Sequence, residues 1–324
     1  MTGRAIVFTA PGKAELRTIE VPPTPPGGMR VRTECTGVSQ GTETWAFTGR
    51  RPETEWPTIP GYQGVGIAQD GPLAGRRVVF HKGLYPDGFP ESWMGAHQEF
   101  AVVESATPVP EGVEPEDAAH FAVVGVALRG LKRTVVEPGR VAVVLGLGLV
   151  GQCCAQVLRA RGATVLATDH SPLRRQLATG RSADRVFSPD DPGFRAELER
   201  LSPEGADIVV DTTGVVGLFP LWIDLIRPEG EIVMQGWYPE PAVFDFHEAH
   251  HKLATIRTPC SWEPAATALE WIAAGKADTR SLVTHVLDPA DCGDAYTRMA
   301  QADPERLGVM FDWRTSAPCG LSPA

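Results

Sequence analysis

The stretch Val141 to Asp169, VAVVLGLGLVGQCCAQVLRARGATVLATD, constrains the fold more than any other part of the chain. Val141 to Leu145 is an apolar, mostly β-branched run, as expected of a short strand buried on both faces. Gly146-Leu147-Gly148-Leu149-Val150-Gly151 follows at once. An amphipathic run then closes at Gly162, a residue suited to the backbone just past a helix. Thr164 to Thr168 reads as a second strand and stops at Asp169. Strand, GxGxxG, helix, strand and acid in this order predict a dinucleotide-binding βαβ unit.

Each residue of that unit has a chemical reason. Gly146 permits a tight turn, Gly148 lets the backbone approach a pyrophosphate, and Gly151 lets helix and strand pack closely. The helix start at Leu149 and Val150 offers free N–H groups and the positive end of the dipole to that anion. Asp169 lies 18 residues after Gly151, close to the spacing of a carboxylate that holds the adenosine ribose. A carboxylate there repels a 2′-phosphate, so NAD is expected over NADP; Arg174 and Arg175 are the residues that speak for NADP. Further on, Asp207 to Asp211 and Glu231 to Gln235 read as buried strands. Ligands bind at the C-terminal ends of such strands, which makes Thr212, Thr213, Gln235 and Gly236 candidate cofactor contacts.

The 324 residues exceed one ordinary domain and suggest two. A net charge of −10 argues against nucleic acid or an anionic membrane as partner. The chain shows no basic, apolar leader and no apolar run long enough to span a bilayer, so the expected location is the cytoplasm. Its six cysteines, Cys35, Cys153, Cys154, Cys260, Cys292 and Cys319, form no CxxC pair and read as free thiols rather than a structural zinc cluster.

Residues 1 to about 110 look β-rich, with strand candidates at Arg4–Phe8, Met29–Thr33, Val65–Ala68, Arg77–His81 and Glu99–Val103. Between the first two, the proline-rich VPPTPPGG reads as a rigid loop. Pro115–Lys132 is expected to be helical. Beyond Asp169, helices are predicted at Pro172–Thr179, Pro192–Leu201, Leu218–Ile226 and Glu263–Ala274. A last strand is predicted at Ala254–Arg257, and VTHVLDPADCGDAYTRM predicts a strand and then a helix. A strand at Phe244/Phe246 and a disordered tail over Ser316–Ala324 complete the reading.

Nearly the whole chain resembles the medium-chain dehydrogenase/reductase superfamily. The residues that carry the resemblance are TGVSQGTE (36–43), PTIPGYQGVG (57–66), GRRVV (75–79), GAHQEFAVV (95–103), the GLGLVG fingerprint and LVTHVLDPADCGDAY (282–296). The resemblance implies an α/β chain in which a Rossmann doubly wound parallel sheet is inserted into a GroES-like β-rich catalytic domain. The implied division is 1–122 catalytic, 123–258 NAD-binding and 259–324 returning to the catalytic part. It also implies a cleft active site and a homodimer or homotetramer acting on a small-molecule substrate.

The departures from that family concern zinc. Its zinc-dependent members carry a cysteine where this chain has Ser39, and a histidine and glutamate where it has Tyr62 and Gln63. Ala122 stands where sorbitol-dehydrogenase-like members have a glutamate, and Gly83 to Met94 replace the cysteine-rich lobe. These side chains do not make a zinc site, so no catalytic metal is expected. The GTE and PGY variants are similar to zinc-lacking members such as bacteriochlorophyllide dehydrogenases and related biosynthetic alcohol dehydrogenases.

Without a metal, side chains must manage the proton of an alkoxide-like oxygen. Tyr62 is the candidate hydroxyl, with Ser39 and Thr42 as a relay and Glu43 orienting them. A phenol is a poor base at neutral pH unless a nearby positive charge, that of the oxidised nicotinamide ring or of Lys82, lowers it. Tyr62 also has a bland role open to it, filling the lost metal pocket. His247, His250 and His251 have helical spacing that permits metal binding, although a solvated short helix or loop is the plainer reading. His81 and His97 could line the cleft, although each alone reads as structural, as does His285; Trp93, Trp237, Tyr238 and Trp262 read as pocket or core aromatics.

The expected function is a zinc-independent, NAD(H)-dependent oxidoreductase interconverting a secondary alcohol and a ketone of a small biosynthetic metabolite. Three alternatives stay open: an NADPH-dependent enoyl or quinone reductase, a redox-neutral NAD-using epimerase or lyase, and a non-catalytic NAD-binding protein.

Overall fold

The computed structural model describes residues 1–90, 92, 94–238, 240–241 and 243–315. The expected disordered tail, Trp93 and Cys319 lie outside the described residues. The chain divides into two units, Met1–Ala122 with Thr279–Ala324, and Val123–Asp278.

The first unit opens with strands β1 (Thr2–Ala10) and β2 (Lys13–Glu20), an antiparallel pair. Most of β2 is exposed or half-exposed and charged, which is why no apolar alternation announces it. Then come β3 (Met29–Gly37), α1 (Gln40–Phe47), β4 (Gly64–Ala68), β5 (Arg77–Phe80), β6 (Phe100–Val103) and β7 (Thr107–Pro108). The expected single helix over Pro115–Lys132 is two, α2 (Pro115–Ala118) and α3 (Phe121–Gly130). Between them, Ala119 and His120 are packed against Gly37, where an added Cβ would lie 2.1 Å from the Ala119 carbonyl oxygen.

The second unit continues α3 and adds β8 (Val141–Leu145), α4 (Leu149–Ala160), β9 (Thr164–Thr168), α5 (Pro172–Ala178) and β10 (Arg185–Phe187). It goes on through α6 (Pro192–Leu201), β11 (Ala206–Asp211), α7 (Phe219–Leu225), β12 (Ile226–Met234), α8 (Phe246–His251), β13 (Thr255–Arg257) and α9 (Ala265–Ala273). Its six strands run parallel in the order β10-β9-β8-β11-β12-β13. That is the doubly wound order in which the first strand of the unit sits at the centre. All five residues of β8 are buried, as its unbroken apolar run requires. Trp222, Phe219, Val143 and Val209 belong to the core beneath. The expected strand at Phe244/Phe246 is absent; Asp245 instead caps α8, its Oδ1 accepting from the His247 amide at 2.8 Å.

The chain returns to the first unit with β14 (Val283–Leu287), α10 (Cys292–Ala300) and β15 (Gly308–Asp312). A seven-stranded sheet runs β14-β15-β3-β4-β5-β7, with β6 pairing β3. The return falls at Thr279 rather than at residue 259. Residues 259–278 stay in the second unit because Glu263 bonds Arg129 and Lys132, and Gln156 exchanges two hydrogen bonds with the Asp278 backbone. Among the described residues, no helix is long and apolar enough to cross a membrane.

Candidate functional site

In the second unit, the turn from β8 into α4 forms a cradle. Gly146 has φ +86°, a conformation that favours glycine, and its N–H donates to the Thr168 carbonyl at 2.9 Å. An added Cβ at Gly151 would lie 1.9 Å from the Gly146 carbonyl oxygen, so helix and turn are in direct contact there. At Gly148 an added Cβ would meet nothing within 4 Å, so this face of the turn is open. No side chain caps α4 at Gly148, which leaves the amides of its first turn, beginning at Leu149 and Val150, available to an anion.

Asp169 closes the far side of the turn. Its Oδ2 accepts from the Leu147 amide and its Oδ1 from the Ser171 amide, both at 2.7 Å. Arg174 Nη1 stands 3.6 Å from Oδ2, while Arg175 is occupied by the carbonyls of Asp169 and His170. Thr212 Oγ1 donates toward the carbonyls of Leu145 and Gly146, locking β11 onto the turn. Thr213 turns inward to Asp211, whose buried carboxylate also accepts from Trp222 Nε1 at 2.8 Å and Tyr238 Oη at 2.7 Å. Burial pushes the Asp211 carboxyl up, and these hydrogen bonds oppose the shift. Gln235 and Gly236 both donate backbone N–H to the Asp211 carbonyl. The Gln235 Oε1 is buried without a hydrogen-bond partner and lies over Gly130, where a Cβ would come within 1.6 Å of it.

In the first unit, Ser39 stands at the N-cap between β3 and α1, and Thr42 and Glu43 lie in the first turn of α1. Tyr62 Oη donates to Ser39 Oγ at 2.6 Å. Tyr62 is buried and Ser39 half-buried. Burial pushes the phenol up; its hydrogen bond to Ser39 opposes this, the Glu43 charge adds to it, and Thr42 and Arg51 pull weakly down. Among the chain's own side chains, Arg51 is the cation that acts on Tyr62, and burial outweighs it.

Glu43 is fully buried in the first turn of α1. Its Oε1 accepts the Ser39 amide at 2.7 Å. Its Oε2 pairs with His97 Nε2 at 2.9 Å and accepts from Tyr296 Oη at 2.5 Å. His97 Nδ1 lies 2.6 Å from Thr36 Oγ1, which also accepts from Trp313 Nε1 at 3.1 Å. The donors balance if Thr36 donates to Nδ1 and His97 carries its proton on Nε2, a tautomer assigned from the network. Of His97, Tyr296, Thr36 and Trp313, only His97 is offered by the sequence as a cleft residue. They come from four separate segments, and no local spacing links them.

The remaining expected residues fall elsewhere. His81 Nδ1 lies 3.1 Å from the Tyr62 carbonyl, and burial pushes its ring pKa down. His285 bonds its own neighbour, Thr284. Trp237 is 67% exposed, and Trp262 packs against Gly125. Cys35, Cys153, Cys154 and Cys292 are buried free thiols; Cys260 is exposed.

The zinc-binding dehydrogenase family matches residues 150–274. A 2-desacetyl-2-hydroxyethyl bacteriochlorophyllide A dehydrogenase of Cereibacter sphaeroides is 28% identical over 98% of this chain and 100% of its own. An Escherichia coli oxidoreductase/dehydrogenase of unknown specificity superposes with a TM-score of 0.85 at 20% identity, covering 96% of this chain and 99% of that one. An alcohol dehydrogenase from E. coli, solved with NADH, gives 0.83 at 18% identity over 96% and 99%. The family match, the relatives and the shared fold together support placing the chain in the medium-chain dehydrogenase/reductase superfamily. The chain is an oxidoreductase of the alcohol dehydrogenase type.

Medium-chain dehydrogenases that use zinc hold it with thiolate, imidazole and carboxylate. Here Ser39 and Tyr62 are hydrogen-bonded to each other and Ala122 offers no donor, while Glu43 is spent on Ser39, His97 and Tyr296. Among the described residues, no group of three metal-ligating side chains is gathered. This donor set does not fit a tetrahedral zinc. The cradle does fit a dinucleotide: an open glycine face, an uncapped helix start and a carboxylate after β9.

Proposed function

We propose that this medium-chain dehydrogenase is a zinc-independent, NAD(H)-dependent enzyme that interconverts a secondary alcohol and a ketone of a small biosynthetic metabolite. The observation that carries the reading is the 2.6 Å bond from Tyr62 Oη to Ser39 Oγ. It supports reading Tyr62 and Ser39, which stand where the resemblance puts the ligands of zinc-dependent members, as a proton-handling pair. The C. sphaeroides relative is named as the dehydrogenase of a 2-hydroxyethyl compound, which agrees with a carbinol substrate.

Gly146 to Gly151 and the start of α4 hold the pyrophosphate of NAD, and Asp169 holds the adenosine ribose. When bound, the nicotinamide supplies or accepts the hydride. In ketone reduction, Ser39 donates its hydroxyl proton to the substrate oxygen and takes another from Tyr62, which recovers one from solvent. Because burial raises the phenol, the pair rests fully protonated at neutral pH, the state a proton donor needs. In alcohol oxidation the relay runs backwards and must first lose a proton. Glu43 transfers nothing; it fixes the Ser39 backbone so that Oγ stays on Tyr62.

Tyr62→Phe and Ser39→Ala test the assignment in a panel of secondary alcohols and ketones followed by nicotinamide absorbance. Both should lower turnover about 10²-fold or more while NADH affinity stays within twofold. Unchanged turnover in both variants would remove the pair from the chemistry. Loss of a substrate C=C with its carbonyl retained would replace the reading by that of an enoyl reductase.

A further inference from the structure

Helix α8 presents a feature the reaction does not use. Ala249 is buried in the core of the second unit and fixes which face of the helix points inward. His247, His250 and His251 are all exposed. They sort into two rows with i,i+4 spacing. Phe246 and His250 stack, with ring centroids 5.4 Å apart and planes at 21°. His247 and His251 instead share a hydrogen bond between their Nε2 atoms, 3.1 Å apart, with ring planes at 81°, and an ion bound there takes the place of the shared proton.

We propose that α8 carries a divalent transition-metal site whose two protein ligands are His247 Nε2 and His251 Nε2. With metal–nitrogen bonds of about 2.0–2.1 Å, a 3.1 Å separation subtends roughly 95–100° at the ion. That is the angle between adjacent positions of an octahedral or tetragonal centre, rather than a tetrahedral one. Imidazole ligands select borderline ions such as Cu²⁺, Ni²⁺ and Zn²⁺ over Mg²⁺ or Ca²⁺, which take oxygen. Water completes the shell, because no third protein ligand is gathered among the described residues.

The local structure favours the pair. The Asp245 carboxylate accepts from the amides of His247 and Glu248, so the first ligand sits in a capped turn. Lys252 Nζ donates to the Ile226 carbonyl at 2.5 Å and anchors the helix just beyond the second ligand. The backbone at both ends of the pair is therefore fixed before an ion arrives, which lowers part of the ordering cost of binding. His250 is held by its stack on Phe246 and is excluded from the site.

Calorimetric titration of the full chain with Ni²⁺, and separately with Cu²⁺, tests the proposal. One ion per chain should bind, more tightly for Cu²⁺, with no response to Mg²⁺. His247→Ala and His251→Ala should each weaken binding at least tenfold, and His250→Ala should leave it within twofold. His251→Asn, which keeps a polar side chain on this exposed face, should behave as His251→Ala. Absence of saturable binding would overturn the proposal. So would a His250→Ala loss equal to that of His251→Ala, or full affinity in the His251 variants. None of these readouts depends on turnover, so the site stands or falls separately from the proposed reaction.

Discussion

Tyr296, on the helix that follows β14, places its hydroxyl 2.5 Å from the Glu43 carboxylate, 253 residues earlier in the chain. The bond lets the C-terminal return segment hold the loop that carries Ser39. Burial, and then the Glu43 charge, push the Tyr296 phenol well up, so it serves only as a donor. Tyr296→Phe removes one donor from a buried carboxylate, a loss worth about 1.5–3 kcal/mol. The urea midpoint should fall accordingly. Turnover should also fall several-fold with KM nearly constant, because Ser39 is held less firmly; an unchanged kcat would limit Tyr296 to stability.

His120 gives stability a pH dependence. It is fully buried, and burial pushes its pKa down to about 4 against the opposing pull of the Val309 backbone and the Glu43 charge. A depressed histidine favours the folded state above its unfolded pKa, and that advantage is lost as pH falls from 6.5 through about 4. The shift corresponds to about 3 kcal/mol as an order of magnitude. Urea midpoints measured across this window should drop steeply for the parent chain and less for His120→Phe. Equal slopes would show that other groups dominate.

The two reaction directions should differ in their pH profiles. Tyr62 is raised, so it keeps its proton through neutral and mildly alkaline pH. Ketone reduction should be flat there, whereas alcohol oxidation should keep climbing beyond pH of about 10, the ordinary phenol value. In Tyr62→Phe the climb should vanish. A parent oxidation plateau near neutrality would point to a different base.

Cofactor choice can be moved at one position. Asp169→Asn removes the charge that repels a 2′-phosphate and frees Arg174, now 3.6 Å from the carboxylate, to meet that phosphate. The ratio of NADPH to NADH affinity should rise at least tenfold. A parent chain that already prefers NADPH would contradict the role given to Asp169.

Gly151→Ala probes the turn itself. The new Cβ would press on the backbone carbonyl of Gly146, which has no room to give. NADH affinity should drop at least tenfold, by calorimetry, while the first unit keeps its far-ultraviolet signature. Full affinity would mean that the turn tolerates a wider spacing.

How legible each part was depends on how local its cause is. β8, β9 and α6 are expected at their observed limits, because each is set by a continuous apolar run or by a cap and proline within a few residues. The nucleotide turn is legible for the same reason. β2 hides because its side chains face water, and β10 because it is three residues long at a sheet edge. The pairing of Tyr62 with Ser39 rests on a 23-residue separation within recognisable motifs. The clamp of His97, Tyr296, Thr36 and Trp313 joins segments up to 277 residues apart, and only folding brings them together.

Metal dependence of turnover tests the central claim most directly. The chain should be dialysed against a strong chelator, checked for metal content and assayed for secondary alcohol oxidation with NAD. The account predicts full activity in metal-free protein and no gain on adding Zn²⁺. Activity that disappears with the metal and returns with one Zn²⁺ per chain would contradict it.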